Sequence, residues 1–375
     1  MLQTNGILSL PETAEILSTT DAPPCPWRQP TYRSALGAIG RFLTRPMMER
    51  QIRARLDLLR PDFAVCAMPA VLDRVMISAL TIPYCVVVHD GSAHPGESLR
   101  FRLVNQQSYL QRAAFVVTLS HAVTAELRTM QLVDENQDIL TLSHPPMLVG
   151  AMPAHLNAPF THGGLPRILM FGRLLPYKGL DLLAAAMVRL GPNPGFTLRI
   201  AGEGPQSTAL EQLGAMPDVT IERRWIPENE LVRNIAWADA VILPYTQASQ
   251  SGVAAAAIAL GRHVIATNVG GLVEQLSGMP NTYMCDVDCD GLTAAVHRFM
   301  LRARQGAVVG EPLEGGIAQA EAAWEAMATA IRDRFVRSTL LVDPALVADP
   351  ESMLRRGELQ PSRTGHQAGA MAQHG

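Results

Sequence analysis

The side chains best equipped for chemistry fall on a few short loops. Gly172-Arg173-Leu174-Leu175-Pro176-Tyr177-Lys178-Gly179 follows the apolar run Arg167 to Phe171 and sets a guanidinium and an ammonium between two glycines. Two cations on such a loop can hold the phosphates of a nucleotide diphosphate, although Arg and Lys on a loop also read as solvated surface charges. Ala201-Gly202-Glu203-Gly204-Pro205 closes the next apolar run as a Gly-rich turn, a weak signal on its own. Ser249-Gln250-Ser251-Gly252-Val253 precedes an alanine run, Ala254 to Ala257. A helix start there would offer unpaired N–H groups and the positive end of the dipole, and Gly252 would let a phosphate approach the backbone. Those alanines equally fit tight packing of a helix on a sheet. Thr267-Asn268-Val269-Gly270-Gly271-Leu272-Val273-Glu274 is a fourth loop of the same kind. None has the spacing of a P-loop or of GxGxxG, so neither an ATPase nor a nicotinamide dehydrogenase is supported.

A fifth loop, Val88-His89-Asp90-Gly91-Ser92-Ala93-His94-Pro95-Gly96-Glu97, ends another apolar run and gathers His, Asp and Glu as an active site would. Zinc is a competing reading, since His89, Asp90 and His94 are all possible ligands; plain capping by Asp90 and Glu97 is another. Asp286-Val287-Asp288-Cys289-Asp290-Gly291 resembles the start of a calcium loop, but His297 holds the twelfth position, where a bidentate Glu is needed. Calcium is therefore not expected there.

These loops need strands to carry them. In the second half the apolar runs Arg167 to Phe171, Phe196 to Ala201, Val219 to Glu222, Ala240 to Leu243 and His263 to Ala266 alternate with helical segments, so five strands and a doubly wound α/β sheet are expected. Ligands of such sheets bind beyond the carboxyl ends of the strands, where the four loops lie. The first half repeats the pattern less clearly, with strand-like Phe63 to Cys66, Tyr84 to Val88 and Phe115 to Leu119 among the helical Pro46 to Leu59, Val71 to Leu80, Leu99 to Gln111 and Ala122 to Met130. Two domains follow, 1–150 and 165–318, joined by a Pro-, Gly- and His-rich linker over 151–164. A helical segment over 319–345 and a disordered tail over 346–375 complete the chain.

Composition sets the outer limits. A length of 375 residues is too great for one ordinary core, and 48% hydrophobic with only 5% aromatic residues points to Ala, Leu, Val and Ile packed on parallel sheets. A net charge of -3 argues against a nucleic-acid partner. Five scattered cysteines suit buried thiols in a reducing cytoplasm, and no apolar run reaches the roughly 18 residues of a bilayer span. Arg41, Arg45, Arg50, Arg53, Arg55 and Arg60, interspersed with Phe42, Leu43, Met47 and Ile52, form a basic amphipathic stretch able to lie on an anionic membrane, or simply an arginine-rich surface helix.

Taken in order, Gly172-Arg173 with Lys178-Gly179, Ala201 to Gly204, Ala238-Asp239-Ala240-Val241-Ile242-Leu243-Pro244, Gly261 to Thr267, and Gly270-Gly271 with Glu274 resemble the GT-B glycosyltransferases of family 4. The His89-Asp90 loop is similar to members that build bacterial surface polysaccharides. The resemblance implies two Rossmann-like domains facing a cleft, retaining transfer from a nucleotide diphosphate sugar to a glycan or lipid-linked acceptor, and no cofactor. It assigns catalysis to His89, at the donor sugar, and to Arg173 and Lys178, at the leaving diphosphate. Gly172, Glu203, Ser251, Gly252 and Val253 complete the binding set. Ala248 and Ala256 stand where the family has two glutamates eight positions apart. That departure keeps open an inactive partner protein; a sugar-nucleotide epimerase of the same architecture is the remaining alternative. The opening Met1 to Leu10 shows no strand–Gly-Gly–helix unit, so the first domain is expected to lack its first strand or to begin upstream.

Overall fold

The computed structural model describes residues 44–67, 77–92, 107–147, 158–306 and 313–342. The chain forms two compact units, Met1–Ala330 and Ile331–Gly375. The described part of the second is the end of one long helix. The first holds two parallel α/β sheets, each the centre of its own domain.

The first sheet is preceded by helix α1 (Arg45–Leu59), which turns its buried Met48 and Ile52 inward at helical spacing. Strands β1 (Ala64–Cys66), β2 (Tyr84–Val88), β3 (Phe115–Thr118) and β4 (Ile139–Thr141) lie side by side in that order, all parallel. β2 and β3 are buried along their whole length, as continuous apolar strands covered on both faces must be. Between them run α2 (Gln107–Gln111) before β3 and α3 (His121–Thr129) after it, the latter capped by the Ser120 side chain on the Val123 amide.

The second sheet has six strands: β5 (Arg167–Phe171), β6 (Thr197–Ala201), β7 (Val219–Glu222), β8 (Ala240–Leu243), β9 (His263–Thr267) and β10 (Thr282–Cys285). Their order in space is β7-β6-β5-β8-β9-β10, all parallel. Chain direction across the sheet therefore reverses between β5 and β8, the switch point that defines the ligand crevice of a doubly wound sheet. Intervening helices are α4 (Leu180–Leu190), α5 (Thr208–Gly214), α6 (Glu228–Trp237), α7 (Gly252–Ala259), α8 (Gly270–Leu276) and α9 (Cys289–Arg304). Alternate residues of β5 face opposite layers. Ile168 and Met170 join Leu183, Met187, Val296 and Phe299 on one side, while Leu169 and Phe171 join the α7 alanines, Leu272 and Leu276 on the other. The alanine run thus packs tightly on the sheet, as read above.

At the opposite end of this sheet Asp239 is buried and accepts from the Phe160 amide at 2.6 Å, the Arg167 amide at 2.8 Å and His162 Nε2 at 2.8 Å. That fastens the entering chain to the foot of the sheet. Helix α10 (Leu313–Val342) follows; it begins six residues ahead of the expected 319–345 segment and runs to the last described residue.

Two strands escape the sequence reading. β10 makes the second sheet six-stranded instead of five, and β4 is likewise unforeseen. Each is a short edge strand, three or four residues long and mostly half-buried, so neither shows an apolar run. The calcium-like segment is a helix start: the Asp288 carboxylate caps α9 by accepting from the Gly291 amide at 2.6 Å. The features expected of residues 1–43, Arg41, Phe42 and Leu43 among them, of His94, Pro95, Gly96 and Glu97, of most of the linker and of the 346–375 tail lie outside the described residues.

Candidate active site

The loops after β5 and β8 meet at the switch point. Pro176–Lys178 forms a 3-10 turn closed by Gly179 at φ 73°, and a Cβ on Gly179 would stand 1.7 Å from the Pro244 carbonyl oxygen. Only glycine allows this approach of the two loops. Lys178 consequently lies with Nζ 3.7 Å from the centre of the Tyr245 ring and 4.8 Å from that of Tyr177. Two ring faces attract the ammonium, but they replace water poorly. Burial is the main influence on Lys178 and lowers its pKa to about 8, with the Arg173 charge adding to the effect and Tyr177 and Asp90 opposing it. Arg173 itself is exposed and donates to the Tyr177 hydroxyl at 3.1 Å. Both cations therefore stand over one crevice, held by two tyrosines to which the sequence reading gave no role. Tyr245 is almost wholly buried, which raises the pKa of its hydroxyl against weaker opposing influences of Ser251 and Arg173.

Facing the cations is the start of α7. Ser251 caps it, its hydroxyl accepting from the Ala254 amide at 3.2 Å. The buried Gln275 amide fixes the Ser251 backbone from both sides, accepting from its N–H and donating to its C=O, each at 3.0 Å. The Gly252 and Val253 amides, first and second in the helix, have no carbonyl behind them to accept. Gly172 adjoins this end: a Cβ there would sit 3.4 Å from Val253 Cγ2. The structure thus brings Gly172, Arg173, Lys178, Ser251, Gly252 and Val253 around one crevice. Glu203 is positioned differently, with its carboxylate exposed and its backbone carbonyl accepting from the Leu174 amide at 2.8 Å. It holds the cation loop in place through the main chain. Ala248 and Ala256 are both buried, and the Ala248 carbonyl accepts from the Gly271 amide at 3.1 Å.

The first domain reaches the same crevice. His89 follows β2, with Nε2 2.8 Å from the Ala67 carbonyl oxygen and Nδ1 2.6 Å from Gln250 Nε2. Both ring nitrogens are thereby engaged within the protein. Close by, the Glu274 carboxylate accepts from the His121 amide at 2.6 Å and the Ala122 amide at 2.8 Å, occupying the N-terminus of α3 from across the domain boundary. Ser120 Oγ donates to the Ser249 carbonyl at 3.0 Å. Gln250 and Glu274 stand out in the sequence only as members of glycine-bearing loops, and Gln275 does not stand out at all; the partners of the first two are more than a hundred residues away and that of Gln275 lies at another element. No group of three or more potential metal ligands occurs among the described residues.

Comparison with known proteins agrees with the two-domain fold. The family described as "Glycosyl transferases group 1" matches residues 165–301, and "Glycosyl transferase 4-like domain" matches residues 12–142. The chain is 35% identical over 104 residues to a GDP-mannose:glycolipid 4-beta-D-mannosyltransferase of Xanthomonas campestris pv. campestris, covering 27% of this chain and 30% of that protein. It is 29% identical over 169 residues to a GDP-mannose-dependent alpha-(1-6)-phosphatidylinositol monomannoside mannosyltransferase of Mycolicibacterium smegmatis, covering 42% of this chain and 44% of the relative. The matched region is therefore under half the length of either relative. Sucrose-phosphate synthase from Thermosynechococcus elongatus superposes with a TM-score of 0.57 at 19% identity, over 80% of this chain and 79% of the other. The catalytic domain of starch synthase IV from Arabidopsis thaliana does so with 0.53 at 16% identity, over 76% of each.

Proposed function

Because the chain belongs to the GT-B glycosyltransferases of the family-4 type, we propose that it transfers a sugar, with retention at the anomeric carbon, from a nucleotide diphosphate sugar to a glycan or lipid-linked acceptor. The observation that carries this reading is the convergence of Lys178, Arg173 and the start of α7 on the β5/β8 switch point. When the bond between the anomeric carbon and the diphosphate oxygen breaks, negative charge builds on the departing phosphate. Fixed cations and backbone amides aimed at that position stabilise it without reorganising. The acceptor oxygen then bonds to the same face of the anomeric carbon, and its proton passes to the departing phosphate oxygen. In this scheme the charge that a metal would neutralise falls to Lys178 and Arg173, so no cofactor is required. A glycolipid is named in the Xanthomonas relative and a phosphatidylinositol mannoside in the Mycolicibacterium one, which favours a lipid-linked acceptor and a place in bacterial surface polysaccharide synthesis.

The test is a panel of UDP, GDP and ADP sugars incubated with the purified chain and short lipid-linked glycans, followed by NMR of the product. An acceptor extended by one sugar with the donor's anomeric configuration is expected. An inverted product would overturn retention; a free epimerised sugar would replace transfer by epimerisation. Binding of every donor without turnover would assign the chain as an inactive partner.

A further inference from the structure

A side-chain hydrogen bond joins the two sheets, Gln250 Nε2 to His89 Nδ1 at 2.6 Å. His89 stands at the carboxyl end of a fully buried strand, and Gln250 lies in the turn ahead of α7. The other ring nitrogen, Nε2, is 2.8 Å from the Ala67 carbonyl oxygen, which can only accept. The ring therefore carries its proton on Nε2. When it is neutral, Nδ1 presents a lone pair, and the amide must turn its NH2 group inward.

The remaining atom of that amide, Oε1, is buried and has no hydrogen-bond partner. A buried carbonyl left unmet is costly, and an apolar side chain would fill the same place without that cost. A half-turn of the amide exchanges its two ends and brings Oε1 to face Nδ1, an arrangement that requires a second proton on the ring. The contact between the domains thus survives in either charge state, with the amide reversed.

We propose that Gln250 is a positioning residue for His89, fixing the tautomer with the proton on Nε2 and, by turning its amide over, offering Oε1 as the acceptor for a second proton on Nδ1. The proposal rests on the reading that His89 belongs to the sugar-transfer site, and gives that site a ring able to change charge without parting the domains. Among the described residues, ionisable neighbours include His144, beyond β4, whose pKa is lowered mainly by burial and further by the His89 charge, and Asp90, the next residue, whose charge acts on Lys178.

The experiment uses the full chain labelled with 15N at histidine, with the His89 signals identified by their loss in His89→Asn. At alkaline pH the wild-type ring should show a protonated Nε2 and an acceptor-type Nδ1. Gln250→Glu, which can accept but not donate, should raise the proton affinity of the ring by about tenfold or more, and Gln250→Leu should lower it. Since Gln250→Leu buries no charge, it decides the matter if the glutamate variant fails to fold. Identical titrations in wild type and variants, or a wild-type proton on Nδ1, would overturn the proposal. So would a loss of sugar transfer with an unmoved titration, which would make Gln250 a packing residue. The titration needs no donor, so failure of the transferase reading would appear separately, as absence of turnover with the ring response intact.

Discussion

Lys178 is the residue on which the proposed chemistry leans most. Replacement of Lys178 or Arg173 by Ala is expected to lower turnover at least about tenfold, since each would forfeit about 1.4 kcal/mol or more of stabilisation on the leaving group; unchanged kinetics in both variants would remove this crevice as the site. Because the Lys178 pKa is lowered to about 8, its ammonium is intact below that pH and is lost as pH rises through it, well before an ordinary lysine would discharge. Affinity for a free nucleotide diphosphate, measured by calorimetry, should therefore weaken above about pH 8. Lys178→Arg should abolish that weakening. Stability runs the other way: the unfolded chain holds the Lys178 proton up to its ordinary range while the folded chain releases it, so this residue's contribution to stability rises with pH between about 8 and 10.5. The two cations were legible in the sequence because charge between glycines after an apolar run is a local pattern. Tyr177 and Tyr245 were not, because their role comes from ring faces brought together by two separate loops.

At the level of elements, the helix that most invites a test is α1. Its buried Met48 and Ile52 form the inner face, while Met47 at 55% and Leu58 at 71% are exposed among Arg45, Arg50, Arg53 and Arg60. Arg45 is paired to Glu49 at 2.6 Å, but the remaining arginines outnumber the acidic Asp57. Flotation with vesicles rich in anionic lipid should carry the protein upward at low salt and release it as salt rises. Absence of binding at low salt would return α1 to an ordinary surface helix. Strands of this fold were readable wherever burial on both faces wrote an uninterrupted apolar run, as in β2, β3, β8 and β9. Of the four edge strands β1 and β7 were read, while β4 and β10 were not, each being short, mostly half-buried and mixed in composition; the order β7-β6-β5-β8-β9-β10 follows from packing, which no single segment records.

For the whole molecule, the two sheets are joined by polar groups: Glu274 on the start of α3, Ser120 on the Ser249 carbonyl, and Gln250 on His89. Such joints are made and broken at little net cost. Glu274→Ala leaves the His121 and Ala122 amides without that acceptor, so the free protein should expand measurably in small-angle X-ray scattering while nucleotide affinity, set within the second domain, changes less than about threefold. An unchanged scattering profile would show that the carboxylate is dispensable to the joint. Asp239 bears on how this chain is to be cut. A fragment opening at residue 165 would keep the Arg167 amide but discard Phe160 and His162, leaving a buried carboxylate short of two of the three donors described above. One opening at residue 158 keeps all three. At roughly 1–3 kcal/mol for each lost partner, the shorter fragment should melt many degrees below the longer one, so the unit that can be expressed or grafted by itself begins at the last residues of the linker and not at the first strand.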